Sequence, residues 1–307
     1  MADGGAAPTV SVLIPSKGRH EAVQRAVATA LAQTVAPLEV LVVNDGPEPA
    51  KRELLERRFA GQPVRWLEAP ASGRPSAVRN HGVRHARGEW IGLLDDDDRW
   101  LPEKLERQLA LARRLGGGDC LIAGRQRVRW PSGRSTLRPR AWALGEQRMD
   151  RLLFGGGLRP LGGVHISTFL APRRLFERVP FDETLRHYED HQWALDAAER
   201  APFAVTPEVV GERDLQGGAG LSGLGTLALT WAWYARNRPR LGAEARAGFL
   251  ARAVSRHAAE EQQWRALPRI AAELVRARPL GLGLWPVLLA PWLRRAPGLL
   301  RSAGRRG

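Results

Sequence analysis

The chain has one cysteine in 307 residues, Cys120, so no internal disulfide can form and a reducing compartment is its natural setting. A lone cysteine heading an apolar run reads as a small core residue rather than a nucleophile. Long apolar runs are also scarce. The longest, LGLGLWPVLLAPWL at 280–293, is shorter than the ~20 residues of a spanning helix, and Pro286 and Pro291 interrupt it. Met1–Pro8 carries neither a basic nor an apolar stretch, so no signal peptide is expected. No Gly-x-Gly-x-x-Gly follows the first apolar run, where Pro15-Ser16-Lys17-Gly18-Arg19-His20 stands instead. That argues against a dinucleotide oxidoreductase, and the same place lacks the Gly-rich loop of a sugar nucleotidyltransferase. Acids are few in the last quarter: residues 225–307 hold 15 Arg against 4 Glu. Residues 1–224 are nearly balanced, with 32 Lys+Arg and 28 Asp+Glu.

The first half alternates strand and helix. Val10–Ile14 and Leu38–Val43 are continuous apolar runs, as expected for strands buried on both faces. Val64–Glu68 and Trp90–Leu94 read as a third and fourth strand, and Cys120–Ala123 as a further one. Helical spacing fills Glu21–Gln33, Lys51–Phe59, Ser76–Ala86 and the stretch from Pro102 to about Leu115. Short links between such elements predict parallel βαβ units in an open twisted sheet. Ligands bind such sheets at the carboxyl ends of the strands. Ser16-Lys17, Asn44-Asp45 and Asp95–Asp98 all follow strand ends and are expected to meet in one crevice. Residues 125–185 read as less regular, a helix is expected from Tyr188 to Arg200, and Gly217–Gly225 is the expected hinge before the tail.

Four consecutive aspartates directly after an apolar strand call for a compensating cation. Residues i and i+2 leaving a strand point the same way, so Asp95 and Asp97 are expected to share a face. A hard divalent cation held by carboxylates and substrate phosphates fits that pattern, and a merely acidic loop is the bland alternative. A nucleic-acid partner suits the charge but not the acids, which repel phosphate unless a metal intervenes.

The run Gly88-Glu89-Trp90-Ile91-Gly92-Leu93-Leu94-Asp95-Asp96-Asp97-Asp98 resembles the Asp-x-Asp segment of family 2 glycosyltransferases with the GT-A type fold. VSVLIPSKGR, LEVLVVNDGP, GRPSAVRNHGVRHARGEW and PFDETLRHYEDHQWALDA resemble further segments of that family, in order, over roughly 9–215. The resemblance implies a GT-A type, open, twisted, mostly parallel α/β sheet flanked by helices. It divides the chain into a short tail (1–8), a catalytic domain (9–220) and a helical, basic C-terminal extension (221–307). The implied activity is metal-dependent, inverting transfer of a hexosyl or N-acetylhexosaminyl group from a nucleotide-diphosphate sugar, UDP-sugar by default. The implied acceptor is a hydroxyl in cell-envelope, polysaccharide or glycolipid synthesis. A catalytically inactive nucleotide-sugar-binding scaffold at a membrane is the alternative.

Carried onto this sequence, the resemblance gives Asp190 as catalytic base and Asp97 as ligand of Mn2+ or Mg2+. Pro15, Ser16, Lys17, Asp45, Arg79, Asp95 and Asp96 become nucleotide-sugar contacts. His165, Glu189 and Trp193 are candidates for acceptor, sugar or second metal contact. The Asp-x-Asp register is open by one residue, so Asp96 and Asp98 could do the work given to Asp95 and Asp97. Bland readings stand beside these: Asp45 caps a turn, Arg79 lies on a helix surface, Glu189 and Asp190 favour a helix start, and Trp193 packs in the core.

The tail combines Arg with Trp231, Trp233, Trp264, Trp285 and Trp292, an interfacial signature that packing helices would also show. The expected setting is cytoplasmic, peripheral at a membrane's cytoplasmic face through 280–307, without nucleic acid as partner.

Overall fold

The computed structural model describes residues 8–155, 160–215, 225–277 and 284–293. Two units emerge, one of residues 1–147 with 164–218, the other of 148–163 with 219–307.

In the first unit, continuous apolar runs make buried strands. β1 (Val10–Ser16) leads through α1 (His20–Leu31) to β2 (Glu39–Asp45), which is buried throughout. α1 buries Val23, Ala26, Val27 and Ala30, the i, i+3, i+4, i+7 stripe of an amphipathic helix. α2 (Pro49–Arg58) starts on a first-turn proline and leads to β3 (Val64–Ala69). α3 (Pro75–His85) leads to β4 (Trp90–Leu93). These four strands are parallel, in the order β3-β2-β1-β4. A Cβ on Gly82 would stand 2.4 Å from Leu13 Cδ1, so α3 lies close against β1 only with glycine there.

Beyond β4 the sheet becomes mixed. β5 (Asp98–Trp100) and α4 (Lys104–Arg114) follow, then β6 (Leu121–Arg129) and β7 (Ser135–Arg138). α5 (Met149–Phe154) belongs to the second unit. β8 (Leu170–Pro172), α6 (Arg173–Arg178), α7 (Glu189–Ala198) and β9 (Phe203–Asp214) complete the first. The sheet continues β4-β8-β6-β9-β5, with β7 paired to β6. β8 is antiparallel to β4, β9 is parallel to β6, and β5 is antiparallel to β9. Cys120 is buried where β6 begins, and burial pushes its thiol up to about 11, as for an inert core residue. β6 runs six residues past the expected Ala123. Its inward positions there are Gln126 and Val128 and its outward ones Arg127 and Arg129, so a polar inward residue hides the alternation.

The second unit is helical: α5, α8 (Leu227–Asn237), α9 (Ala243–Phe249), a π-helical stretch Leu250–Val254, α10 (Ser255–Glu260), α11 (Leu267–Arg276) and a helix over 285–293. Residues 148–163 join this unit although the sequence places them in the catalytic domain. The reason is contact: Asp150 accepts the Gly242 N–H at 2.7 Å, Arg151 pairs with Glu244 at 2.7 Å, and Phe154 meets Trp233 and Phe249 edge-on. Trp233 and Trp292 are buried, whereas Trp264 is 41% exposed. Among the described residues no helix is long and apolar enough to cross a membrane. Most of the Gly217–Gly225 hinge and the 280–283 and 294–307 parts of the tail lie outside the described residues.

Candidate active site

The strand ends meet as the sheet topology requires. Pro15 and Ser16 end β1 in register with Val43 and Asn44 of β2. Lys17 Nζ lies 2.9 Å from Asp45 Oδ2. Asp45 also accepts the backbone N–H groups of Ser72 at 2.7 Å and Gly73 at 2.9 Å. Burial opposes its charge, but Lys17 and the two amides hold Asp45 below the usual carboxylate range. The Ser16 hydroxyl donates to Asp96 Oδ2 at 2.9 Å and accepts from Lys51 Nζ at 3.1 Å. Arg19 Nη1 donates to Asp96 Oδ1 at 2.9 Å and to Asp97. Burial, opposed by Arg19 and reinforced by Asp97, raises Asp96 to about 7.

The aspartates divide differently from strand alternation. β4 ends at Leu93, and the Asp98 N–H bonds the Asp95 carbonyl at 3.1 Å, closing a turn. The turn brings Asp95 and Asp98 to one side. Asp97, its side chain 41% exposed, meets Arg19 instead. His165, reached 67 residues later, completes the group: its Nδ1 is 3.2 Å from Asp98 Oδ2, and its Nε2 is 3.9 Å from Asp95 Oδ2. One ligand atom from each of Asp95, Asp98 and His165 lies within 4.8 Å of the others. Asp98 is buried, which opposes its charge, yet His165 holds it below the usual range. Gln126 donates to Asp98 Oδ2 at 3.1 Å, while Asp98 Oδ1 is buried without a hydrogen-bond partner. Two carboxylates, an imidazole and an orphaned carboxylate oxygen form a donor set that fits a divalent cation.

Arg79 ties this group to α7. Buried on α3, it donates to Asp95 Oδ1 at 2.9 Å and to Glu189 Oε1 at 3.0 Å. Beside it on α3, Asn80 exchanges hydrogen bonds with the backbone of Phe181 and also donates to Glu183, fixing the approach to α7. Tyr188, immediately before α7, has φ 64°, a left-handed conformation that a bulky residue rarely adopts and that marks a held turn. Asp190 Oδ1 accepts both the His191 N–H at 2.7 Å and His191 Nδ1 at 2.8 Å. Burial works against its charge, but His191, His165 and Arg79 hold Asp190 well below the usual carboxylate range. Burial and the adjacent Asp190 push Glu189 the other way, upward against the pull of Arg79.

Trp193 stands apart from these groups. It is 1% exposed, stacks on Phe176 at 4.5 Å and Phe181 at 5.3 Å, and donates its indole N–H to the Val179 carbonyl. It is a core residue, and burial rules out the sugar contact considered from sequence. The sequence reading assigned no role to Asn80, Ser167 or Gln126. The Asn80 signal was present, adjacent to Arg79 in the quoted run. Ser167 and Gln126 act only through contacts distant in sequence.

Residues 11–181 match the glycosyl transferase family 2 profile, more than half of the chain. The chain belongs to glycosyl transferase family 2. A family relative in Rickettsia bellii (strain RML369-C), described as an uncharacterized glycosyltransferase, is 29% identical over 187 residues. That match covers 60% of this chain and 26% of the relative. A hyaluronan synthase of Pasteurella multocida is 39% identical over 100 residues, 32% of this chain and 10% of the synthase. The chain spans between 26% and 57% of the length of the R. bellii relative and one from Rickettsia typhi (strain ATCC VR-144 / Wilmington). The crystal structure of S. aureus TarS 1-349 in complex with UDP-GlcNAc superposes with TM-score 0.57 at 17% identity, over 94% of this chain and 72% of that one. That is a likeness of fold, the GT-A type α/β sheet expected from the sequence.

Proposed function

We propose that this family 2 protein transfers a sugar from a nucleoside-diphosphate donor to an acceptor hydroxyl, with inversion at the anomeric carbon. One observation carries the reading: Arg79 joins the Asp95–Asp98–His165 group to Glu189, and Asp190 follows directly on the same helix. A cation site for the diphosphate and a carboxylate for the acceptor then stand in one constellation.

Asp190 takes the acceptor proton. His191 occupies its Oδ1, leaving Oδ2 for the incoming hydroxyl. The lowered pKa keeps Asp190 ionised near neutral pH. The acceptor oxygen forms its bond to the anomeric carbon as the bond to the phosphate oxygen breaks, and the diphosphate leaves with the electron pair. Asp95, Asp98 and His165 would hold the divalent cation, which supplies positive charge against the leaving diphosphate when bound. The imidazole in that set favours Mn2+ over Mg2+, which prefers oxygen alone. Lys17, Asp45 and the end of β1 line the nucleotide side. UDP is the proposed nucleotide, since TarS, of the same fold, is solved with UDP-GlcNAc. The proposed acceptor belongs to the cell envelope, with the basic tail lying against an anionic membrane.

Calorimetry with UDP, GDP, CDP and dTDP, each with and without Mn2+, tests the reading on wild type, Asp98→Asn and Asp97→Asn. Binding of one nucleotide only with Mn2+, abolished by Asp98→Asn, supports it. Absence of binding by every nucleotide reduces the protein to a scaffold. Loss confined to Asp97→Asn moves the cation to the Arg19 side.

A further inference from the structure

α4 carries two polar side chains that are fully buried, Lys104 and Gln108, one turn apart. Lys104 Nζ donates to Gln108 Oε1 and to the Thr168 carbonyl at 3.3 Å, and lies 4.3 Å from the centre of the Trp100 ring. Gln108 Nε2 donates to the same Thr168 carbonyl at 2.7 Å. Trp100 Nε1 donates to the neighbouring Ser167 carbonyl at 2.7 Å. Three donors thus hold two successive carbonyls of the Ile166–Thr168 turn.

The same turn serves the cation group. Its first flanking residue is His165, whose carbonyl accepts from Thr168 N at 2.9 Å and Thr168 Oγ1 at 2.7 Å. Ser167 Oγ accepts the Asp95 N–H at 3.1 Å. Lys104 has no carboxylate partner among the described residues, and burial drives its pKa well below the usual lysine value. A buried amine without a counter-ion is costly, and a methionine would fill the same volume more cheaply. Stability alone does not account for a lysine there.

We propose that Lys104 and Gln108 are positioning residues for the divalent-cation site: by gripping the Ile166–Thr168 turn they set His165 against Asp98 and Ser167 against Asp95. This rests on the reading that Asp95, Asp98 and His165 hold the cation. Partners that orient metal ligands in this way are typically worth about 10- to 100-fold in metal affinity.

The experiment is a Mn2+ titration of the full chain, reading free Mn2+ by electron paramagnetic resonance, on wild type, Lys104→Met, Gln108→Leu and His165→Ala. Thermal unfolding runs in parallel. The expected result is Mn2+ affinity weakened by about 10-fold or more in Lys104→Met, with its melting temperature kept or raised. A purely structural lysine would lower the melting temperature and leave the affinity alone. Should Lys104→Met fail to fold, Gln108→Leu removes one of the two donors to Thr168 and is expected to weaken Mn2+ several-fold. Wild-type affinity in a folded Lys104→Met or Gln108→Leu, with affinity lost in His165→Ala, overturns the proposal and leaves the cation site standing. Wild-type affinity in His165→Ala overturns the cation site itself, and the positioning role with it.

Discussion

At the scale of single residues, Asp190 and Glu48 show opposite uses of a lowered pKa. Asp190 is a candidate base kept ionised, so Asp190→Asn should cut kcat by about 10²- to 10⁴-fold while donor affinity, read by calorimetry, stays within about threefold. A kcat within tenfold of wild type would remove Asp190 from the chemistry. Glu48 serves stability. Burial opposes its charge, but the Gly18 N–H, Asn44 and Lys51 bring it down to about 2. The drop from 4.5 to about 2 is worth roughly 3 kcal/mol. Because the folded value lies below the unfolded one, that stability is present above pH 4.5 and lost as pH falls through 2. Glu48→Gln should therefore destabilise the protein at pH 7 in urea unfolding, and the gap to wild type should close in acid. A gap that stays constant with pH would show that the lost packing, not the charge, matters. Asp45, Arg79, Asp95 and Asp190 could be read from sequence because each sits in a short run whose neighbours carry the signal. The pairing of Asp98 with His165 could not, since it closes across 67 residues with only a glycine pair before His165 as a local sign.

At the scale of elements, the ends of β1, β2 and β4 were readable because an apolar run of five or six residues stops at a polar loop. What followed β4 was not. Alternation holds only while the strand lasts, and the Asp95–Asp98 turn replaces it with an i to i+3 relation. β5 is three residues long and reads as part of the acidic loop. Its Trp100 is nevertheless the pivot between α4 and the His165 turn, and β4 makes room for it. A Cβ on Gly92 would stand 2.7 Å from Trp100 Cη2. Gly92→Ala should therefore tilt the indole, cost about 1–3 kcal/mol in denaturant unfolding, and weaken Mn2+ through the Ser167 carbonyl. Unchanged stability together with unchanged Mn2+ affinity would mean that Trp100 moves freely and positions nothing.

At the scale of the whole molecule, the second unit decides between two readings of the basic tail. Its tryptophans divide: Trp233 and Trp292 are buried, and Trp292 donates to Ser255 Oγ at 3.0 Å. Those two have a packing role that sequence composition alone could not separate from an interfacial one. The helix over 285–293 also shows a second face. Leu289 is 40% and Leu293 69% exposed, Trp285 is half-buried, and the three stand at i, i+4 and i+8 on one stripe. Arg294, Arg295, Arg301, Arg305 and Arg306 follow in sequence. An apolar stripe leading into five arginines suits an anionic bilayer surface, where each basic residue contributes about 1 kcal/mol. Deleting 280–307 is a poor test, because Leu288 and Trp292 are core residues whose loss damages the unit. Leu289→Glu with Leu293→Glu changes only the exposed stripe. Wild type should float with vesicles containing phosphatidylserine at 0.1 M salt, and the double variant should stay in the pellet fraction with an unchanged melting temperature. Raising salt to about 1 M shortens screening from about 10 Å to 3 Å and should release wild type too. Equal flotation of both proteins would leave the stripe without a role at membranes, and flotation that ignores salt would remove the arginines from the account.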